Sequence, residues 1–334
     1  MQVILASAKI MKERVPSRGI TPTEPLFQRQ ATMLAGELAQ MSGNRLSELF
    51  NCSAAIGREN RERFALFGTD MAEIMPAILT YYGQAYKHLK AESLTNEDLE
   101  WANSHLWISS CLYGLLRPLN GIQTYRMEGG FPMQATGGLK VNEFWRPLLT
   151  NLLIESVKAD DGILIYLDTE EFRSLFNWKR VVEEVQVIEP KFQVLKNGRL
   201  TTQAVWAKSC RGAMARYIIE ERITNPLQLA NFNHCGFSLS DSPENSSTLH
   251  ALSPGYELSL GHELSLRSTP SLSHKLSHCS TPSLHQAPTP ATHPQQLAPQ
   301  VLPARSAEQA TNKEHPQQLA PQVLHLHFVA ENPQ

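Results

Sequence analysis

A sharp change of composition towards the end of this chain limits how much of it can fold. The 86 residues from Leu249 to Gln334 contain no Trp and one Phe, but 11 of the 21 prolines and only nine Asp, Glu, Lys or Arg. The decapeptide HPQQLAPQVL begins at His293 and is repeated from His315. Repetitive, proline-rich and weakly charged sequence buries too little apolar surface to offset chain entropy. We therefore predict one domain over residues 1–247 and a disordered tail over residues 248–334.

Nine of the 12 histidines also lie in this predicted tail. Clustered histidines can bind metal ions, but the low-complexity composition of the segment favours the interpretation without metal. Outside the tail, His88, His105 and His234 show no recognisable ligand spacing. We therefore predict no metal site and no cofactor, and direct binding of iron is the least favoured of the functions considered below.

The predicted domain holds all five Trp, 11 of the 12 Phe, and 26 basic against 27 acidic residues. This near-neutral balance excludes a polybasic tail as the main device for binding a partner. It does not exclude a local basic cleft, because net charge says nothing about how the charges are distributed. No apolar run approaches the roughly 18 residues needed to cross a bilayer. The apolar stretch in Met1–Ile10 is broken by Lys9, is too short for a signal-peptide core and lacks a basic lead-in. The five cysteines are scattered, which fits a reducing compartment. We expect a cytoplasmic monomer.

Helices precede a mixture of strands and helices, which favours a single compact α+β domain over a regularly alternating α/β fold. Val3–Ala6 is typical of a buried strand. Thr95 is a good N-cap, and Asp98 can return its hydrogen bond, so a helix is predicted from there to about Cys111. Later in the chain, Val181–Val187 is typical of a strand.

A hairpin and a cationic helix follow. Asn197-Gly198 is a strong hairpin signal, and Ala207–Arg222 is predicted to form a buried helix because its apolar residues surround the whole helix. Lys208, Arg211 and Arg216 fall on one broad side of this helix. Buried cations need partners, so these three either line a cleft for a phosphate or carboxylate, or pair with structural acids such as Glu128 or Glu171.

The segment Ser109–Asn120 carries a possible phosphate-binding turn. A helix, a tight turn at Gly114 and a proline-bounded segment are similar to a helix-hairpin-helix, in which backbone N–H groups of a glycine-bearing hairpin meet a nucleic-acid phosphate. Arg117 would add a charged donor. The alternative is that this leucine-rich run is simply part of the core.

Three further positions are candidates for chemistry. Lys9 follows the first strand, where it either lines a ligand crevice or is a solvated flank. Glu170 and Glu171 follow the apolar strand Gly162–Leu167 and could act as acid, base or metal ligand, but adjacent side chains do not form a dyad. Cys210 is either oxidisable, being next to cations, or a small buried apolar residue.

Several of these segments occur in an order that resembles the YaaA family of bacterial peroxide-stress proteins. The resemblance covers roughly Met1 to Ser247 and is carried by Ala6-Ser-Ala-Lys9, Leu112-Tyr-Gly-Leu-Leu-Arg-Pro-Leu119, Tyr125-Arg-Met-Glu-Gly129, Glu143-Phe-Trp145, Arg211-Gly-Ala-Met-Ala-Arg-Tyr-Ile-Ile219, Ala77-Ile-Leu79 with Tyr86 and Ala91-Glu92, and Phe232 with Gly236-Phe237. It implies a cytoplasmic protein that resists hydrogen peroxide by limiting free iron and its damage to DNA. It also implies an α+β domain with a basic cleft and a helix-hairpin-helix-like element that binds DNA.

The resemblance places one set of residues in the cleft. These are Lys9, Arg117, Arg126, Glu128, Glu171, Lys208, Arg211 and Arg216. This chain departs from the family pattern at Ala6-Ser7, where the family has Ser-Pro, and at Tyr166-Leu-Asp-Thr169, where it has Asn-Leu-Ala-Ser. The family chain ends soon after Asp241 in a short strand. Here the repetitive tail replaces that strand, so we expect a sheet edge to be left unpaired.

Three functions follow in order of preference. The first is a stress protein that binds DNA through Lys9, the Gly114 hairpin and the arginine and lysine side chains of the cleft. The second is an enzyme acting on a small anionic or nucleotide-like substrate, with Glu128 or Glu171 as acid or base and Lys9 or Arg211 stabilising negative charge. The third is direct sequestration of iron.

Overall fold

The N-terminal apolar run forms strand β1 (Gln2–Ala6) in the middle of a mixed sheet, as its sequence predicts. The structure is a computed structural model that describes residues 1–16, 18–252, 323–331 and 333, and these belong to one compact unit. Residues 2–5 of β1 are all buried, so both faces of the strand are covered by other elements. Burial on both faces is typical of parallel strands packed between helices.

Eight strands form the main sheet. Besides β1, the strands of the described chain are β2 (Met75–Pro76), β3 (Leu106–Ser110), β4 (Gly114–Leu116), β5 (Gly121–Ile122), β6 (Ile163–Leu167), β7 (Gln186–Lys196), β8 (Arg199–Thr201), β9 (Ser238–Leu239) and β10 (Leu324–Ala330). The order in the sheet is β4-β3-β1-β6-β7-β10-β9, and β8 pairs with β7. Strands β3, β1, β6, β7 and β10 are parallel, whereas β4, β8 and β9 are antiparallel to their neighbours. Strands β2 and β5 form a separate antiparallel pair.

Helices cover the sheet and connect its strands. The α-helices are α1 (Gln28–Ala39), α2 (Gly43–Leu49), α3 (Ala54–Leu66), α4 (Ala77–Thr80), α5 (Gln84–Leu89), α6 (Asn96–His105), α7 (Val141–Ala159), α8 (Glu170–Arg173), α9 (Trp178–Glu184), α10 (Ala204–Glu220) and α11 (Pro243–Ala251). Short 3-10 helices lie at Ala91–Ser93, Gln134–Thr136 and Pro226–Asn231. Helix α10 packs across α5 and against β1, β6 and β7, while α7 packs against β4 and β6.

The sequence predicts an α+β class, and the structure confirms a domain that mixes helices with a mixed sheet. The centre of that sheet is parallel, however, so the architecture is mixed α/β rather than α+β. The parallel arrangement is hard to detect because six helices, not one, connect β1 to β3. That long connection hides the strand–helix–strand alternation by which parallel sheets are recognised in a sequence.

Local signals place the starts of elements more accurately than their ends. Thr95 and Asp98 form the predicted capping box at the start of α6, which confirms that helix. The helix ends at His105, not near Cys111, because the next five residues pair with β1 as strand β3. Most of the predicted strand Val181–Val187 belongs to helix α9, and the strand β7 begins only at Gln186.

The turn at Asn197-Gly198 joins β7 to β8 as predicted. Both residues have positive φ, at 53° and 72°, as a two-residue hairpin of type I′ requires. Helix α10 is also confirmed, and it begins three residues earlier than its predicted start at Ala207.

The last residues of the chain correct two expectations. We expected residues 248–334 to be disordered and a sheet edge to be unpaired, but Leu324–Ala330 forms β10, which pairs with β7 on one side and β9 on the other. Leu326, Phe328 and Ala330 alternate with polar or less buried neighbours and are themselves buried. That alternation is the sequence signal of a half-buried strand. Residues 248–251 extend α11, and residues 253–322 of the predicted tail lie outside the described residues.

No helix-hairpin-helix forms around Gly114. Instead β3 and β4 make a tight antiparallel hairpin, and Gly114 (φ 71°) is its first residue after the turn. The hairpin is buried: a Cβ at Gly114 would lie 3.0 Å from the ring of Trp145. The backbone N–H groups of Leu112 and Tyr113 in this turn donate to Ser110 Oγ, so two of the donors that the prediction assigned to a phosphate already have a partner within the hairpin.

Among the residues that the structure describes, none of the helices is both long enough and apolar enough to cross a bilayer.

Candidate functional site

A cavity of about 250 Å³ opens at the carboxyl ends of β1 and β6. Strand β1 lies between β3 and β6 in the sheet. The chain therefore runs from β1 to β3 on one side of β1 and later returns to β6 on its other side. Such a reversal separates the loops that follow the two strands and creates a crevice, which is where open α/β sheets bind ligands. The cavity walls come from the loop after β1, from α5, from the segment 125–127, from the loop after β6 and from α10.

The first group of charges in the cavity surrounds Lys9. Its ammonium nitrogen lies 2.9 Å from Glu128 Oε2 and 3.4 Å from Glu171 Oε1, and Arg126 Nη2 lies 3.5 Å from the other oxygen of Glu128. Partial burial raises the pKa of Glu128, and a hydrogen bond shared with Glu171 adds to that rise, while Lys9 opposes it. Burial alone would lower the pKa of Lys9, but the two carboxylates outweigh that effect and raise it. Lys9 is thus charged, and Glu128 is a weaker acid than usual.

The second group lies on helix α10. Lys208 and Arg211 are one turn apart, so they share a face of the helix, and both line the cavity. Gly212 allows this placement, because a Cβ there would lie 1.8 Å from the carbonyl oxygen of Ala85 on α5. Burial lowers the pKa of Arg211, although the nearby carboxylates of Asp168 and Glu189 oppose that change. The side chains of Lys208 and Arg211 form no hydrogen bond or ion pair with any residue in the described part of the chain.

A buried carboxyl group lies behind this face of the cavity. Asp168 follows β6 directly, is 1 % exposed, and accepts hydrogen bonds from Ser109 Oγ and from the backbone N–H of Thr169. Burial raises the pKa of Asp168 to about 7, against the hydrogen bonds and the charge of Arg211 that lower it. The residue does not line the cavity, so its effect on a ligand would pass through Arg211 and Thr169. Asp168 and Ser109 are not among the predicted site residues, although polar residues at the ends of predicted strands are the sequence signal that marks them.

Tyrosine hydroxyls form the neutral polar part of the wall. The Tyr125 hydroxyl lies 2.8 Å from the Tyr81 hydroxyl and 2.6 Å from Ser110 Oγ, and the Tyr86 hydroxyl donates to the carbonyl of Ala6 at 3.1 Å. Burial raises the pKa of Tyr125 to about 12, so the hydroxyl stays neutral. Two polar atoms near the cavity, Arg126 Nε and Thr169 Oγ1, are buried and have no hydrogen-bond partner among the described residues. A ligand could supply those missing partners.

Three of the predicted site residues lie elsewhere. Gly114 is in the buried hairpin described above. Arg117 stacks on the ring of Trp107, with its guanidinium carbon 3.4 Å from the centroid, and donates to Gln2 at the amino end of β1. Arg216 donates to the carbonyl oxygens of Leu89 and Lys90, which end helix α5. Arg216 also pairs with Glu220 at 2.6 Å, and neither arginine is among the residues that line the cavity.

The structure brings six predicted residues together: Lys9, Arg126, Glu128, Glu171, Lys208 and Arg211. The cavity has mixed charge, since four cations face two glutamates, with Asp168 behind them. Mixed charge suits a small ligand that carries an anionic group and exchanges protons with its surroundings.

An exposed aromatic side chain stands beside the cavity. Tyr82 precedes Gly83, which lines the wall, and the Tyr82 ring is 38 % exposed. The ammonium groups of Lys12 and Lys87 both lie 5.1 Å from its centroid. Tyr82, Lys12 and Lys87 thus form a partly exposed cation–π cluster beside the cavity, in which Lys12 also pairs with Glu92 at 3.5 Å.

Fold and site together define a mixed α/β domain with a charged cavity at the carboxyl ends of its parallel strands. The family model described as peroxide stress protein YaaA matches residues 1–242. A UPF0246 protein of Phocaeicola vulgatus is 43% identical over 238 residues, which cover 71% of this chain and 93% of the relative. A UPF0246 protein of Bacteroides thetaiotaomicron is 38% identical over 242 residues, which cover 72% of this chain and 94% of the relative.

The chain belongs to the YaaA family of peroxide stress proteins, which confirms the resemblance inferred from its motifs. This membership supports a role in the peroxide stress response. The matched region ends at residue 242, so it includes the whole cavity but not β10.

Proposed function

We propose that the protein serves the peroxide stress response by binding the phosphate or carboxylate group of a small, nucleotide-like ligand in the cavity between β1 and β6. The observation that carries this proposal is the pair Lys208 and Arg211. Both cations line the cavity, and neither has a hydrogen-bonding or ion-pairing partner among the described residues. A largely buried arginine is costly unless an anion compensates its charge, and a bound phosphate or carboxylate would do so.

The acids on the opposite wall add a chemical capability. Glu128 and Glu171 contact Lys9 and would supply a general acid or base within reach of a ligand held by α10. The raised pKa of Glu128 brings its protonation equilibrium closer to neutral pH, as proton transfer requires. If the ligand is turned over, Glu171→Gln should reduce the rate and leave binding nearly unchanged.

Thermal unfolding of the full chain tests the binding step. The ligands would be inorganic phosphate, nucleoside mono- and diphosphates, and dicarboxylates, each titrated against the wild type and Lys208→Ala. We expect at least one nucleotide to raise the melting temperature of the wild type and to lose most of that effect in the variant. Lys179→Ala is the matched control, because Lys179 is an exposed lysine on α9 outside the cavity. The absence of any stabilising ligand, or equal stabilisation of Lys208→Ala, would contradict the proposal.

DNA is the second candidate ligand, and Tyr82 with Lys12 and Lys87 is the observation that favours it. An aromatic ring flanked by cations is the arrangement with which proteins stack single-stranded bases while neutralising the backbone. In this proposal the strand lies across Tyr82 with a phosphate held by Lys208 and Arg211, and bound DNA is shielded from iron-dependent oxidation.

Fluorescence anisotropy of labelled single-stranded and duplex DNA across a salt series tests this second candidate. We expect affinity to fall steeply with salt, and Tyr82→Ala to weaken single-stranded binding by about 1–3 kcal/mol, the usual value of one stacked base. Lys179→Ala should bind like the wild type. Binding that does not change with salt, or that Tyr82→Ala leaves unchanged, would leave the small ligand as the better explanation.

A further inference from the structure

A cluster of three metal-ligating side chains lies outside the cavity. His88 is on helix α5, and His234 and Cys235 are in the loop between the last 3-10 helix and β9. The Nδ1 atom of His88 lies 3.0 Å from Nε2 of His234, and these two nitrogens and the Cys235 sulfur all lie within 4.8 Å of one another. All three side chains are partly exposed, so an ion could reach them from solvent.

The separations are close to those of a bound metal. Two imidazole nitrogens on one tetrahedral zinc ion are about 3.3 Å apart, and a nitrogen and a thiolate are about 3.6 Å apart, given the usual bond lengths. The two histidine nitrogens would move by only a few tenths of an ångström to reach these distances, and the sulfur by at most about 1.2 Å. The two rings are nearly perpendicular, at 88°, and their nitrogens share a hydrogen bond, so metal binding would move the shared proton to the other nitrogen of its own ring.

The backbone holds Cys235 in an uncommon conformation. His234 and Phe237 exchange backbone hydrogen bonds, and the two residues between them, Cys235 and Gly236, have φ values of 52° and 80°. Both values are those of a type I′ turn, which glycine and asparagine adopt readily and cysteine rarely does. A non-glycine residue kept at positive φ often marks a site where side-chain placement matters, and here it places the thiol beside the two imidazoles.

A neighbouring amide lies beside His88. The side-chain nitrogen of Gln84 lies 3.4 Å from Nε2 of His88 and donates to Ser209 Oγ at 2.8 Å.

We propose that His88, His234 and Cys235 form a binding site for a divalent first-row transition metal ion of the zinc class. Two imidazoles and one thiolate favour such an ion over magnesium or calcium. On binding, the Cys235 thiol loses its proton to solvent and the ion gains one sulfur and two nitrogen ligands. Three protein ligands leave a fourth position for water or for an exogenous ligand, as in open zinc sites. This site is independent of the proposed ligand cavity.

Titration of the full, reduced chain with Co²⁺ tests the proposal, because a cobalt–thiolate bond gives a charge-transfer absorption band. We expect this band to saturate at one equivalent, to disappear when Zn²⁺ is added, and to be absent from Cys235→Ser. The matched controls are Cys279→Ser and Cys52→Ser, which should keep the band. The first of these is essential, because Cys279 follows His278 in a histidine-rich stretch that could bind cobalt by itself.

Thermal unfolding with Zn²⁺ gives a second readout. One equivalent of Zn²⁺ should raise the melting temperature of the wild type and of Cys279→Ser, and should leave His88→Gln and Cys235→Ser unchanged. The proposal is overturned if no cobalt–thiolate band forms, or if the band persists in Cys235→Ser and disappears in Cys279→Ser. It is overturned equally if Zn²⁺ stabilises His88→Gln as strongly as the wild type.

Discussion

Replacing Asp168 by Asn should change the way in which the stability of this protein depends on pH. The carboxyl group is buried behind α10, and burial raises its pKa from 3.8 to about 7. In the unfolded chain the same group ionises near its ordinary value. Between these two pKa values the folded protein therefore binds more protons than the unfolded one, and the contribution of Asp168 to stability falls as the pH rises.

The size of the effect follows from the two pKa values. Between about pH 4 and pH 7 the cost of ionising Asp168 in the folded state grows to about 4 kcal/mol, because each of the roughly three units between the two pKa values is worth about 1.36 kcal/mol. Asparagine has the shape of a protonated aspartate and never ionises. Its amide oxygen can accept the Thr169 N–H and its nitrogen can donate to Ser109, so the hydrogen bonds at this position are kept.

Urea unfolding of the full chain at a series of pH values measures this difference. Asp168→Asn should have nearly the stability of the wild type at about pH 4 and should exceed it by about 4 kcal/mol at pH 7. Asp70→Asn is the control, because Asp70 is an exposed carboxylate. A difference between Asp168→Asn and the wild type that stays constant over this range would show that the buried carboxyl ionises normally, and the argument from burial would fail.

Three other substitutions test how the fold positions its elements. Gly212→Ala should destabilise the protein by at least about 2 kcal/mol in urea unfolding, because the new Cβ would lie 1.8 Å from the carbonyl oxygen of Ala85, which a backbone cannot easily vacate. Phe328→Ala should lower the free energy of unfolding by about 3–5 kcal/mol in the same assay, because the ring is fully buried and stacks on Phe192. A loss below about 1 kcal/mol would mean that β10 is not part of the core. Arg216→Ala should lower the free energy of unfolding by about 1–2 kcal/mol, because two carbonyl groups at the end of α5 lose their donor. Ligand affinity should not change; a reduced affinity would show that Arg216 contributes to the site.

The local chemistry of the sequence determined several elements without reference to the rest of the chain. The capping box of Thr95 and Asp98 begins α6, and Asn197-Gly198 makes the β7–β8 turn, because both depend only on residues within a few positions of one another. The apolar run after Met1 becomes β1 for the same reason. Motif order was also sufficient to identify the family, since it needs no three-dimensional information.

Tertiary structure alone decided which cations face the cavity. Lys208 and Arg211 share a helix with Arg216, and all three have the same charge, but α5 takes the last of them as a partner for its terminal carbonyl groups. Arg117 likewise lies outside the cavity, because its guanidinium stacks on the ring of Trp107. Residue type and helical periodicity cannot distinguish a paired cation from an unpaired one, because the partners come from distant parts of the chain.

The same limit explains the residues that sequence analysis missed. His88 and His234 are 146 positions apart, so no local ligand spacing could reveal their contact. The raised pKa of Asp168 depends on burial, which only the packed core creates. Strand β10 shows both sides of this division. Its alternating apolar residues can be recognised in the sequence. They form a strand because β7 and β9 provide backbone hydrogen-bond partners and the core provides a place to bury Phe328. Local interactions thus fix where elements begin and turn, whereas pairing, burial and charge compensation are decided by contacts between residues that are distant in the chain.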